Sequence, residues 1–397
     1  MTHRRRSLAP ALCVAFAAAL CHPNARAATP NEPVLGLGAT PPLIWRASTQ
    51  SPDPLAAKDA LYTICGKPEA GLAAVASRNA ARIVRGDTSF ASDELAFTMR
   101  AAGVPYVWPR AWSMHGKDLT EEKIESELTK FIAKAKTLGE RRCGVARNRK
   151  RDGSTVVSLV TVDVLADLDR VPTLVRVGEW VTLKGTMKVP ATDAKVVLLG
   201  PRGAPRTVLA SLSGDEVRAT FSADQPGEWL IQVLASAANG PRPVIEAVVH
   251  AGTPPALKYA ETSAPGEDAA AKGASDTEAI RAMLNAARVA EGLKPLATDA
   301  ALDKVARAHS DRMKDQRTVG HDVGGGDLAD RLHDAGVTLR SQGENVAGAG
   351  SLTRAHRALW LSPSHRTNIL DARFTRAGIG VTKGDDERVY VTQVFAD

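Results

Sequence analysis

The chain has 397 residues and a formal net charge of +7. This length exceeds what one hydrophobic core usually serves, so we expect two or three domains. Residues 1–27 contain four arginines and no acids, so the remainder carries a net charge of only +3. The basic balance is therefore no evidence for a nucleic-acid-binding protein.

Residues 1–27 have the layout of a secretory signal peptide: a basic start, an apolar run over residues 8–20 and small residues at the cleavage positions. That run is too short to span a bilayer and no other stretch approaches 18 apolar residues, so we predict no transmembrane segment. Cys21 raises the alternative of a lipoprotein anchor, although Leu20 stands where such signals normally have a small residue. We predict a secreted protein, extracellular or periplasmic.

Cys65 and Cys143 are the two cysteines outside the signal peptide. Export would place them in an oxidising environment, where an even pair favours a disulfide. We predict one Cys65–Cys143 disulfide, and the alternative is two buried free thiols.

Composition divides the next part of the chain. Residues 28–54 are rich in Pro, Gly and small residues and predict a mobile leader. Residues 55–170 are first helical and then extended in pattern. Within them, 120–139 is strongly amphipathic and 154–165 is β-branched.

Residues 171–251 contain six or seven short alternating strand candidates separated by turn residues, which predicts an immunoglobulin-like β-sandwich. The span has no cysteine, so we expect no inter-sheet disulfide, and we interpret Trp180 and Trp229 as core residues. Residues 252–275 are rich in Pro, Ala, Glu and Lys and are interpreted as a linker.

Residues 276–397 begin after Ser275, which opens a capping box before an apolar run. Periodicity predicts four helices followed by two closing strands. The predicted fold class of the whole chain is therefore α+β.

An internal repeat links the first and last regions. Three blocks recur in the same order: 72–80 parallels 302–310, 93–104 parallels 326–337, and 143–163 parallels 379–397. The first copy has Asn79 where the second has His309, and nothing in it corresponds to Gly343-Glu344-Asn345. We interpret residues 55–170 as a degenerate copy that keeps the scaffold and has lost the site.

The last region also carries a set of short polar motifs. In chain order they are Gly292–Leu296, Ala308-His309-Ser310, Gly320-His321, Gly343-Glu344-Asn345, Ser362–Leu370 and Val391–Phe395. In this order they closely resemble the CAP superfamily, which includes cysteine-rich secretory proteins, antigen 5 and plant pathogenesis-related proteins. The resemblance covers residues 276–397 and is to the bacterial, cysteine-poor branch.

The resemblance implies a three-layer α-β-α sandwich with a polar cleft that holds two histidines and two glutamates. By their place in the motifs, His321 and His365 match the two histidines and Glu344 matches the first glutamate. The second glutamate, expected just after Trp360, has no match, because the chain continues with Leu361.

The residue types themselves suggest chemistry for this cleft. Ser362 and Pro363 are a favourable N-cap and N1 pair, which places His365 in the first turn of a helix and favours its neutral form. Two neutral imidazoles and one carboxylate suit Zn²⁺ or another divalent cation, so His321, His365 and Glu344 are candidate metal ligands. The same three side chains could instead hold a water for general-base work or form a purely structural hydrogen-bond network.

Four further residues are predicted to support the cleft: His309, Asn345, Ser362 and Asn368. His356 lies among charged neighbours and is predicted to be exposed.

The resemblance implies a binding module whose cleft takes a metal ion, a lipid or another small envelope ligand. Two alternatives stay open: a metal-dependent extracellular hydrolase, such as a peptidase, and a structural cell-surface adhesin. No Ser or Cys nucleophile with a partnering His and acid is visible, so enzymatic activity is undecided and hydrolysis would need a metal-bound water.

Overall fold

The computed structural model describes residues 48–50, 58–134, 137–237 and 240–397. The predicted signal peptide (1–27) lies outside these residues, as does most of the predicted leader (28–54). Within the described part of the chain, no helix has the length and apolar character needed to cross a membrane.

The first region combines helices with one sheet. Its elements in chain order are β1 (Ser48–Thr49), α1 (Tyr62–Cys65), β2 (Lys67–Pro68), α2 (Ala70–Val84), α3 (Ser92–Ala101), β3 (Arg110–Gly116), α4 (Glu121–Ala133), β4 (Glu140–Arg149) and β5 (Thr155–Val164). The sheet order is β2-β4-β5-β3, with β2 parallel to β4 and the other pairs antiparallel. Thr120 is the N-cap of helix α4, and its hydroxyl accepts from the Lys123 amide.

Cys65 and Cys143 form the predicted disulfide, with their Cα atoms 6.0 Å apart. It joins the end of α1 to β4 inside a hydrophobic cluster that includes Ile124 and Leu128 of α4. The disulfide prediction is confirmed.

The middle region consists of strands. They are β6 (Ala166–Leu168), β7 (Val171–Pro172), β8 (Leu174–Val175), β9 (Trp180–Met187), β10 (Asp193–Leu199), β11 (Arg206–Val208), β12 (Ala210–Ser213), β13 (Glu216–Ser222), β14 (Gly227–Ala237) and β15 (Gly240–Ala251). One sheet has the order β11-β10-β14-β15-β8 and the other β12-β13-β9-β6, and both contribute to one hydrophobic core.

Three details of this region differ from the sequence interpretation. Strand β6 pairs with β9, so this sheet begins before residue 171. Strand β1, in the predicted leader, pairs with β7. Trp229 is buried, but Trp180 is 71% exposed because burial alternates along β9 and Trp180 occupies an outward position.

Residues 252–275, interpreted as a linker, contact both the first and the last region. The segment contains a 3₁₀-helix, Glu267–Lys272. The Tyr259 hydroxyl donates to Asp93 of α3, and Arg357 forms an ion pair with Glu267 at 2.6 Å. We call residues 252–275 the strap.

The last region again combines helices with one sheet. Its elements are α5 (Asp276–Ala290), β16 (Ala297–Thr298), α6 (Ala300–Gln316), α7 (Leu328–Asp334), β17 (Gln342–Ala349), α8 (Leu352–Leu361), α9 (Pro363–Ile369), β18 (Arg376–Lys383) and β19 (Val389–Ala396). The predicted cap is present, because the Ser275 hydroxyl accepts from the Glu278 amide. On β19, Val394 packs with α6 and its neighbour Phe395 packs with α5 and α8.

The sheet order of the last region is β16-β18-β19-β17, with β16 parallel to β18 and the other pairs antiparallel. Taken in chain order, this is the strand order of the first region. In both sheets, a glycine on a strand lies directly against the backbone of a helix packed on that sheet. A Cβ on Gly144 would lie 2.0 Å from the Leu72 carbonyl carbon, and a Cβ on Gly378 would lie 2.1 Å from that of Leu302.

Candidate functional site

Glu344, on β17, is the buried acid of the site. Arg331 of α7 binds its carboxylate with both terminal nitrogens, Nη1 to Oε2 at 2.7 Å and Nη2 to Oε1 at 3.0 Å. Burial raises the pKa of Glu344, but hydrogen bonds from His321 and Arg331 outweigh it, so the pKa lies below its ordinary value. The acid is therefore ionised and held in a bidentate ion pair.

His321 lies in the loop between α6 and α7, with its side chain about one third exposed. Its Nδ1 is 2.9 Å from Glu344 Oε1, and its carbonyl oxygen accepts from Arg331 Nη2 at 3.1 Å. An ionised carboxylate can only accept, so Nδ1 carries a hydrogen and the neutral ring keeps its lone pair on Nε2. The Glu344–Arg331 pair thus fixes both the orientation and the tautomer of His321.

His365 lies in the first turn of α9 and is half-buried. Its Nδ1 is buried and has no hydrogen-bond partner among the described residues. Burial, reinforced by the neighbouring His321, lowers the pKa of His365 to about 3. The ring is therefore a neutral imidazole with an unused nitrogen.

Two asparagines fasten α9 to β17. Asn345 Nδ2 donates to the His365 carbonyl and to Gln393 Oε1, both at 3.1 Å. Asn368 Nδ2 donates to Asn345 Oδ1 at 2.9 Å and to the Glu344 carbonyl at 3.1 Å. These bonds bring His365 and Glu344 to one place although 21 residues separate them in the chain.

His309 supports the loop that carries His321. It is fully buried on α6, and its Nε2 lies 2.9 Å from the carbonyl of Gly320. That carbonyl can only accept, so Nε2 donates and Nδ1 is the lone-pair nitrogen. Burial lowers the pKa of His309.

Ser362 occupies the N-cap position of α9, but its hydroxyl makes no capping bond to the helix. It lies 3.4 Å from the Ser364 hydroxyl. Ser362 therefore occupies the N-cap position predicted from the sequence, but its side chain does not form the expected capping hydrogen bond.

Arg331 is the site residue that sequence reasoning missed. It lies on α7 one residue before the buried Leu332 and is itself only 5% exposed. An arginine on the inward face of an amphipathic helix needs a buried acid as its partner. The position of Arg331 beside Leu332 could therefore have identified it as a partner of Glu344.

The exposure predicted for His356 is wrong. The side chain is fully buried, and its Nε2 lies 2.8 Å from the carbonyl of Pro265 in the strap. The folded strap covers a histidine that its charged sequence neighbours had suggested was in solvent.

The described residues contain no group of three or more His, Cys, Asp or Glu side chains placed to hold a metal ion. Both oxygens of Glu344 are engaged by Arg331, and one of them also by His321. Glu344 therefore already has two protein partners, which disfavours it as a direct metal ligand. Two cavities of about 460 and 440 Å³ elsewhere in the last two regions are not lined by these residues.

Residues 281–395 match the model of the CAP family, described as the cysteine-rich secretory protein family. Two Bacillus subtilis proteins are similar to parts of this chain. They are the uncharacterized protein YkwD (37% identity over 100 residues, 25% of this chain and 39% of the relative) and the uncharacterized membrane protein YlbC (35% over 115 residues, 28% and 32%). The chain therefore spans less than half the length of either relative.

Solved structures with similarity include an extracellular protein containing an SCP domain from Bacillus anthracis and a cysteine-rich secretory protein from Staphylococcus aureus. The first is 20% identical, covering 59% of this chain and 86% of the other with a TM-score of 0.29. The second is 13% identical, covering 58% and 83% with a TM-score of 0.26. The family match confirms the resemblance predicted from the motifs: residues 281–395 are a CAP-family domain.

Proposed function

We propose that the CAP domain is a secreted binding module whose cleft takes a divalent transition-metal ion, with Zn²⁺ as the ion to test, between His321 and His365. The observation that carries the proposal is the buried Nδ1 of His365, which has no hydrogen-bond partner in the part of the chain that the structure describes. It lies on a helix bonded to the strand of Glu344. A neutral imidazole nitrogen without a protein partner is a good metal ligand.

Glu344 has a different role in this proposal from the one predicted from the sequence. A metal-binding histidine commonly donates its second ring N–H to a carboxylate, which orients the ring and raises its basicity. His321 and Glu344 have this relation, with Nδ1 2.9 Å from Oε1. In this proposal Glu344 orients His321 and does not itself bind the metal. Its pairing with Arg331 makes it a weak general base, which disfavours the hydrolase alternative.

The surrounding architecture belongs to the same proposal. Helices packing against alternate residues of β19 support the three-layer arrangement that the family implies. The two sheets of the middle region support an immunoglobulin-like sandwich. The shared strand order supports the interpretation of residues 55–170 as a degenerate CAP-like copy, and secretion is supported by the sequence of residues 1–27.

The test is calorimetric titration of Zn²⁺ into the chelator-stripped full-length protein near neutral pH. We expect His321→Ala and His365→Ala each to weaken binding at least tenfold, because each removes one of two ligands. Glu344→Gln should weaken it about tenfold, as loss of an orienting partner does. His333→Ala is the matched control, because His333 is exposed in the same domain and should bind as the parent does.

Circular dichroism and thermal unfolding of each variant separate loss of a ligand from loss of the fold. Absence of metal uptake by the stripped parent, or unchanged affinity in both histidine variants, would contradict the metal proposal. A lipid or small-molecule ligand for the cleft would then be tested with the same variants.

A further inference from the structure

Gln232, on β14 of the middle region, contacts the helix that carries His365. The side chain is only 1% exposed. Its Oε1 accepts from the Ser364 amide at 3.1 Å, and its Nε2 donates to Glu246 Oε1 at 2.8 Å. Nε2 also lies 3.5 Å from the Ser362 hydroxyl. One side chain of the middle region thus engages both ends of the Ser362–Ser364 segment.

These contacts replace a cap that α9 does not supply for itself. The first amides of a helix have no partner within the helix and need an acceptor from elsewhere. Ser362 makes no capping bond and Pro363 has no N–H, so Ser364 provides the first such amide. Gln232 accepts from it, and His365 is the next residue along the helix.

Gln232 is itself held in place from the first region. Its partner Glu246 lies on β15, and the Glu246 amide donates to the Pro105 carbonyl at 2.8 Å. The Glu246 carboxylate also lies 3.9 Å from Arg100 of the first region. A continuous series of contacts therefore runs from the first region through Glu246 and Gln232 to α9.

We propose that Gln232 is a positioning residue for the cleft: the middle region supplies the cap of α9 and so fixes where the His365 imidazole stands relative to His321. The inference rests on the proposed function for its consequence in binding. Its structural part, the capping of α9 from another region, is independent of any ligand. In this proposal the middle region helps to position the His365 side chain, in addition to connecting the two flanking regions.

The test changes the hydrogen-bonding groups of Gln232 and Glu246 in three variants. Gln232→Met keeps a side chain of similar length but removes both hydrogen bonds. Gln232→Glu keeps an acceptor for the Ser364 amide but places a carboxylate against Glu246. The double variant Gln232→Glu with Glu246→Gln restores a donor and an acceptor in reversed order.

Two measurements on the full-length protein decide the matter: hydrogen exchange of the Ser364 amide and Zn²⁺ affinity. We expect Gln232→Met to speed exchange at Ser364 about tenfold and to weaken Zn²⁺ binding about fivefold, in line with loss of a helix cap. In Gln232→Glu, repulsion from Glu246 should displace the new carboxylate from the Ser364 amide, so both values should shift in the same direction as in Gln232→Met. The double variant removes the repulsion and should recover both values. A merely destabilised interface would not regain affinity in the double variant.

Unchanged exchange at Ser364 in Gln232→Met would overturn the capping role. Normal Zn²⁺ affinity together with faster exchange would overturn the positioning role. If the parent binds no Zn²⁺, the proposed function fails, whereas the exchange rates still decide whether Gln232 caps α9.

Discussion

The first region and the CAP domain have the same strand order, so their residues can be compared position by position. In both, the acid at the N-cap of the helix that follows the first strand of the sheet, α2 or α6, pairs with an arginine on the adjoining strand. Glu69 lies 3.4 Å from Arg142, and Asp299 lies 2.7 Å from Arg376. Arg142 and Arg376 also hold the same register against β2 and β16. The pair that supports the scaffold is present twice.

The site residues behave differently. Ala111 pairs with Val160 on β5, as Glu344 pairs with Val394 on β19. The sequence repeat places Thr98 where the CAP domain has Arg331, and its hydroxyl bonds to the Glu94 carbonyl of its own helix. Acid and arginine are thus absent together. One of the two without the other would be a buried charge without a partner, which costs several kcal/mol, so we expect both residues or neither at these positions.

The position of His309 is also retained with changed chemistry. In the first region it is Asn79, which is fully buried and accepts from the Phe90 amide at 3.0 Å. His309 contacts the Gly320 carbonyl instead. Both side chains hold the loop after their helix, but only the CAP-domain loop continues to a histidine of the site.

The largest expected effect concerns the disulfide, which the CAP domain lacks because Ala377 holds the register of Cys143. The bond closes a loop with a sequence separation of 78. Cys65→Ser with Cys143→Ser should therefore lower the free energy of unfolding of the first region by about 4 kcal/mol.

Urea unfolding followed by hydrogen exchange in peptides from each region measures this difference. The CAP domain should change little. Equal destabilisation of both regions would show that they unfold as one unit and would remove the comparison as an independent test.

The second test uses the two glycines under the sheet-packing helices. Gly144→Ala and Gly378→Ala should each destabilise their own region by about 2 kcal/mol, because the added Cβ would meet helix backbone at 2.0 and 2.1 Å. The same peptide-resolved unfolding measures both. Gly153→Ala is a steric control, because among the described residues none other than its chain neighbours has an atom within 4 Å of the added Cβ. Its positive φ adds some backbone strain. A tolerated alanine at only one of the two sites would break the proposed equivalence of the scaffolds.

The smallest expected effect is a difference in pH dependence. Burial raises the pKa of Glu69 to about 7, against the lowering effect of Arg142. The folded first region therefore binds the proton more tightly than the unfolded chain, and its stability falls as pH rises from about 4.5 to 7. Burial lowers the pKa of His356, so the CAP domain loses stability as pH falls below about 6.5.

Unfolding of each region at pH 5 and pH 7.5 measures the two slopes. Glu69→Gln should flatten the slope of the first region without changing that of the CAP domain. Slopes of the same sign in both regions would mean that other groups dominate.

The sequence was sufficient where local chemistry decides the structure. The Ser275 cap and the Cys65–Cys143 bond follow from side-chain preferences and compartment, and the motif order predicted the CAP family. It was insufficient where contact depends on another part of the fold. His356 is buried because the strap crosses it, and the cap of α9 comes from Gln232, 130 residues away from Ser362.

The strap has a further consequence for the proposed secretion, which would expose the chain to proteases. A protease must draw several consecutive residues into its active site, so it cleaves exposed loops far faster than bonded segments. Lys258 and Lys272 are exposed to solvent. Tyr259 is bonded to Asp93, and Glu261 and Glu267 are bonded to Arg357, so the chain around both lysines is tied down. Cleavage there must wait for local opening, so the first region and the CAP domain stay joined while the strap is bonded.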